Sequence, residues 1–147
     1  MSKKHTLISY ERDRDAHTYQ ATIGTDMGQF TAEVYCRKED WDHESRYFGY
    51  ELAEIKAEIQ YARAKRNYYD AQLKALTQFW RDMSTTRTYN QDAFWVKKMR
   101  IKVDDINHKR NYWADRINYL KECYHLKITT FDSLNAKRNR CKEHNND

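Results

Sequence analysis

Two stretches of the chain, 42–83 and 90–128, carry apolar side chains at alternating spacings of four and three residues, the period of a coiled-coil seam. The first row is Phe48, Leu52, Ile55, Ile59, Ala62, Arg66, Tyr69, Leu73, Leu76, Trp80 and Met83, interrupted by Arg66 alone. The second is Val96, Met99, Val103, Ile106, Arg110, Trp113, Ile117, Leu120 and Tyr124, again with a single arginine. If the two helices fold back on each other, facing positions have numbers of nearly constant sum. Trp80 with Val96, Leu73 with Val103, Arg66 with Arg110, Ile59 with Ile117 and Leu52 with Tyr124 each add to 176. Leu76 with Met99, Tyr69 with Ile106, Ala62 with Trp113 and Ile55 with Leu120 each add to 175. Trp113, the largest ring in the second row, falls opposite Ala62, which leaves room for an indole in a narrow seam. The polar run 84–90 is poor in helix formers and predicts the tip of an antiparallel hairpin whose arms are roughly 60 Å long.

The first forty residues follow a period of two. Ile8 and Tyr10, then Tyr19, Ala21 and Ile23, then Phe30, Ala32, Val34 and Cys36 alternate with polar neighbours, as half-buried strands do. Charged residues at 11–16 and the turn Thr25-Asp26-Met27-Gly28 separate them. Pairing Ile23 with Phe30 also pairs Ala21 with Ala32 and Tyr19 with Val34 on one apolar face. The fold class expected is therefore α+β, an N-terminal three-stranded antiparallel meander (1–40) followed by a long antiparallel helical hairpin (41–132). Residues 133–147 are expected as a basic C-terminal helix or tail, the stretch from Phe131 being either a short third helix or a continuation of the second arm, all within one structural unit. Asp40 or Asp42 is the expected cap of the first arm, with the regular helix starting just beyond Gly49.

Composition narrows the class. The 147 residues include no proline and three glycines, which favours long uninterrupted elements. No stretch approaches the ~20 apolar residues of a membrane span, and no leader opens the chain, so a cytoplasmic location is expected. Cys36, Cys123 and Cys141 are odd in number and widely spread, which suits reduced thiols. Cys123 with His125, and Cys141 with His144, have spacings that fit no zinc rule, so no metal and no cofactor are expected. No nucleophile motif or glycine-rich phosphate loop is present, and the expectation is a protein without catalytic residues.

Three surface patterns remain. On the back of the first arm Tyr50, Ala57, Ala64 and Ala71 recur every seven residues beside Tyr61, Tyr68 and Ala75. This second stripe spans ~37 Å, whereas a seven-residue strand reaches ~23 Å, so it reads as a partner or dimer face, with the chain's own sheet, a second copy in a homodimer and a protein target as its alternative covers. Arg66 and Arg110 face each other in the seam, where Asp70 and Asp105 are placed to neutralise them as a polar register layer. An anion site is the alternative reading of that layer. Lys97, Lys98, Arg100, Lys102, Lys109 and Arg116 with interleaved Trp95 and Tyr112, then Lys137, Arg138 and Arg140, make a basic face suited to nucleic acid or an acidic protein. Seven acids between 39 and 58 make the opposite end acidic.

These patterns lead to the expectation of a binding protein, a small regulator or inhibitor docking on a nucleic-acid-handling machine. Short, tyrosine-rich, proline-free chains of this kind occur among phage anti-defence proteins, anti-CRISPR inhibitors included. Direct DNA or RNA binding through the basic arm, and a structural coiled-coil assembly role, are the alternatives.

Overall fold

The computed structural model describes residues 5–84 and 94–145, with side chains described over 5–83 and 96–140. Three strands, β1 (His5–Asp13), β2 (Thr18–Thr25) and β3 (Gly28–Tyr35), precede a 3-10 helix (Lys38–His43) and two long helices, α1 (Arg46–Ser84) and α2 (Phe94–Asn145). The sheet is antiparallel in the order β1-β2-β3. α1 and α2 pack against each other as a helical hairpin. Beyond Ser84, the expected tip at 84–90 lies outside the described residues. The chain divides into two compact units, Met1–Tyr61 with Asn118–Asp147, and Ala62–Ile117.

In the first unit the β2–β3 register is the one that alternation predicts, with Ile23 opposite Phe30, Ala21 opposite Ala32 and Tyr19 opposite Val34. The Thr25 hydroxyl accepts the Met27 N–H at 3.1 Å and donates to the Gly28 carbonyl at 2.7 Å. Gly28 takes φ 102°, which a side chain would disfavour. Two expectations about β1 are corrected. The loop at 11–16 is shorter, because pairing continues to Asp13, whose carboxylate accepts the amides of Asp15 and Ala16 at 3.0 and 3.2 Å. Ile8 does not share a face with Tyr10, because the register shifts between Leu7 and Ser9. Ile8 becomes the extra residue of a bulge and lies over Gly24 on the opposite face, where a Cβ at Gly24 would come within 3.0 Å of Ile8 Cδ1.

The start of α1 is also corrected. Asp40 and Asp42 belong to the preceding 3-10 helix, and Ser45 is the cap, its Oγ accepting the Phe48 N–H at 3.3 Å and its carbonyl the Gly49 N–H at 3.0 Å. The helix therefore begins before Gly49 and runs through it. Of the two alternatives for residues beyond 132, α2 continues unbroken to Asn145. Its seam extends through Ile128 and Phe131 to Asn135, while Leu134 is exposed. Phe131 stacks on Phe48 with centroids 4.2 Å apart, and buried Asn135 donates to Asp40 at 3.2 Å.

The core of this unit joins the sheet to α1 and α2. Tyr19, Ala21, Val34, Leu52 and Ala53 are buried together, with Phe48, Tyr50, Tyr124 and Ile128 packed around them. Small residues Ala53 and Ala57 on α1 let the sheet approach closely, and both are fully buried. In the second unit the two helices bury Ala62, Val96, Ile106, Trp113 and Ile117, with Trp113 and Ala62 both in the core as the seam predicts.

Candidate functional site

The helical unit Ala62–Ile117 concentrates positive charge. Residues 62–117 hold 13 Lys and Arg against 6 Asp and no Glu, a net +7 in a chain whose total is +5. Seam positions Val96, Met99, Val103 and Ile106 turn inward, and this leaves Lys97, Lys98, Arg100 and Lys102 exposed on the intervening turns. Beside them an open groove of about 390 Å³ is lined by Phe79, Met83 and Met99 with the side chains of Lys98 and Lys102, an almost wholly apolar surface to which the two lysines contribute their methylene stems. Arg100 lies over the Trp80 ring at 5.9 Å from its centroid, and Lys65 over Trp113 at 5.8 Å. Tyr68, Phe79, Ile101 and Tyr112 in the same unit are exposed. The side chain of Trp95 lies outside the described residues.

The expected polar layer is rearranged. Arg110 Nε donates to Asp70 at 2.6 Å, so Asp70 neutralises it as anticipated. Asp105 does not join the layer. It binds Lys109 one turn along α2 at 3.1 Å, where the ion pair raises the Lys109 pKa. Arg66 donates instead to neighbouring Asn67 at 3.4 Å. Since Arg110 and Asp70 retain 40% and 43% of their side-chain exposure, this layer sits at the edge of the seam rather than inside it.

The back stripe of α1 is divided between the units. Tyr50, Ala57 and Tyr61, read from the sequence as a partner face, are taken by the chain's own sheet. Tyr50 stacks on Tyr10 at 4.6 Å and meets Tyr19 edge-on at 5.4 Å, and the Tyr61 hydroxyl donates to Asp26 at 2.5 Å. Ala64 is half-buried, and Tyr68, Ala71 and Ala75 are exposed in the second unit. Lys137, Arg138 and Arg140 are exposed on the last turns of α2 in the first unit, so they do not belong to the same compact unit as Lys97–Arg116.

The acidic end of the first unit is largely engaged in bonds within the chain. Glu44 accepts from Arg12 at 2.8 Å and lies 2.9 Å from His17 Nδ1. Burial opposes ionisation of Glu44, but the bonds to His17 and Arg12 outweigh it and hold its pKa below the ordinary carboxylate value. His17 adopts φ 54° and stacks on Trp41 at 3.9 Å. Glu51 accepts from Lys127 at 2.6 Å. A cavity of about 260 Å³ opens between sheet and helices, with Val34, Phe48, Leu52 and Ile128 among its apolar walls and Cys36 and Arg37 at its lining. Burial, followed by the negative charges of Glu44 and Asp40, pushes the Cys36 thiol up to about 11.

One cluster was hidden from sequence reasoning. His5, Glu54 and Glu58 converge so that an imidazole nitrogen and two carboxylate oxygens lie within 4.8 Å of one another. Glu54 and Glu58 are one helical turn apart, a spacing visible in the sequence, but His5 reaches them only through the pairing of β1 with β2 and the packing of the sheet on α1. Among the described residues of the Cys/His pairs, Cys123 is half-buried and His125 exposed; the side chains of Cys141 and His144 lie outside them.

No protein-family model, curated protein or solved structure matches the chain.

Proposed function

We propose that the protein acts by binding rather than by catalysis, as a small regulator or inhibitor that docks on a nucleic-acid-handling assembly through the helical unit Ala62–Ile117. The observation that carries this reading is the apolar groove lined by Phe79, Met83, Met99 and the stems of Lys98 and Lys102, beside the exposed basic row on α2. An apolar groove beside a basic row suits an apolar side chain presented near carboxylates, and protein interfaces place aromatic and methionine anchors at their centres with charges at the rim. Proteins that handle nucleic acids are a natural class of partner, because a segment of net +7 placed against them engages their acidic contacts or competes with them for the polyanion itself. No helix among the described residues is long and apolar enough to cross a membrane, and the proposed site of action is the cytoplasm, that of a host cell if the chain acts against a defence system.

Direct contact with DNA or RNA is the second reading, favoured by the exposed row Lys97, Lys98, Arg100 and Lys102 on α2. Fluorescence anisotropy with random-sequence duplex and single strands separates the two. A docking protein leaves nucleic acid unbound at physiological salt, whereas a phosphate-tracking surface gives an affinity that falls steeply as salt rises. A homodimer would use the exposed Tyr68, Ala71 and Ala75. Light scattering of the Ala64→Glu/Ala71→Glu variant reads that directly, with a halved mass supporting the dimer and an unchanged mass removing it.

A further inference from the structure

The geometry points to a divalent transition-metal site formed by His5 of β1 with Glu54 and Glu58 of α1. His5 Nε2 lies 3.0 Å from Glu58 Oε1 and 3.7 Å from Glu54 Oε1. A tetrahedral ion with bonds of ~2.0–2.1 Å holds its ligand atoms ~3.3 Å apart, so the two distances bracket the edge of such a polyhedron.

An imidazolium paired with two carboxylates is the competing explanation, and the missing directed hydrogen bond argues against it. The His5 side chain is only 9% exposed, and its Nε2 is buried without a directed hydrogen bond, although a carboxylate oxygen stands at hydrogen-bond distance. A hydrogen bond to that oxygen would need the ring N–H aimed at it, which the ring does not do, whereas a bound ion needs only the nitrogen and the carboxylate oxygens around one centre. Glu54 and Glu58 are themselves 20% and 16% exposed, and one oxygen of each lies within 4.8 Å of the other and of the imidazole nitrogen. Tyr10 supplies the outer support: its hydroxyl donates to Glu54 Oε2 at 2.9 Å, which leaves Oε1 turned toward His5.

One imidazole nitrogen with two carboxylate oxygens selects zinc, manganese or ferrous iron over calcium and magnesium. Three protein ligands leave a further coordination position for water. Bound there, the ion would fasten the first residue of β1 to α1, a link that no covalent bond provides.

The test is a titration of the intact protein with zinc, followed by calorimetry and by imidazole nitrogen resonances, with manganese and magnesium as comparison ions. One zinc ion per chain is expected, with the His5 resonance shifting at stoichiometric metal and magnesium failing to compete. His5→Ala and Glu58→Gln should each weaken zinc binding by at least ~10-fold, and Tyr10→Phe by a smaller factor. Equal zinc binding by His5→Ala, an unmoved His5 resonance with zinc bound elsewhere, or no stoichiometric binding overturns the site. The resonance measurement on the unaltered chain decides the matter even if a variant fails to fold.

Discussion

Gly49 of α1 lies directly beneath the ring of Tyr19, so close that a Cβ on the helix would fall inside the ring's van der Waals envelope. Intrinsic propensity favours alanine over glycine in a helix by about 1 kcal/mol, but overpacking a buried ring costs about 1–3 kcal/mol. Gly49→Ala should therefore lower stability in urea unfolding, and a smaller residue at 19 in the same chain should recover part of the loss. A Gly49→Ala chain that melts higher than the parent contradicts the contact.

The Arg110–Asp70 pair is short but two-fifths exposed on each side, and solvent screens it. A double-mutant cycle with Arg110→Met and Asp70→Asn should return a coupling below about 1 kcal/mol that shrinks further in high salt. A coupling of several kcal/mol would show that the layer is a buried register device after all.

The Cys36 thiol, pushed up to about 11 from an ordinary 9.0, carries about 100-fold less thiolate at pH 8 than an unperturbed cysteine. Alkylation of the folded chain by iodoacetamide, mapped by mass spectrometry, should modify Cys36 correspondingly slowly, and unfolding should abolish the protection. Rapid labelling of Cys36 in the folded protein would refute its placement.

Glu44 provides the pH dependence. Its folded pKa is depressed, so its ionised form favours the native state: the stabilisation is present above the ordinary value of 4.5 and is lost as pH falls through the folded value. The groups facing it are Arg12 from β1, His17 from the β1–β2 turn, Tyr19 from β2 and Cys36 after β3. Glu44→Gln should be less stable than the parent at pH 7 by about 1–3 kcal/mol, with the gap closing below pH 4.5. A gap that persists unchanged at low pH would mean that packing alone, not charge, holds Glu44 in place.

Local patterns announced some of these features and could not announce others. The register of Ile23 on Phe30 follows from a two-residue turn and a period of two, and the burial of Trp113 and Ala62 follows from the heptad, because each is encoded within a few residues of itself. The bulge at Ile8 has no local signature, since it depends on how β1 pairs with β2. Ser45 displaced the nearer acids as helix cap because 38–43 coils into a 3-10 turn first, and Gly49 looked like a weak start only because its partner, Tyr19, stands thirty positions earlier. Asp105 chose Lys109 on its own helix over the seam, an i,i+4 preference that positional sums do not register. The basic face on 97–102 was legible as a run of cations; the groove beside it, which needs Phe79 and Met83 from the other helix, was not.

The most direct test of docking through the helical unit is affinity capture from nuclease-treated lysate, comparing the intact chain with a Lys98→Glu/Lys102→Glu variant of matched helicity by circular dichroism. A nucleic-acid-handling protein retained by the intact chain after nuclease treatment, and lost on charge reversal, is the predicted result. Identical capture by both chains, or retention of nothing beyond the chain itself, would contradict it.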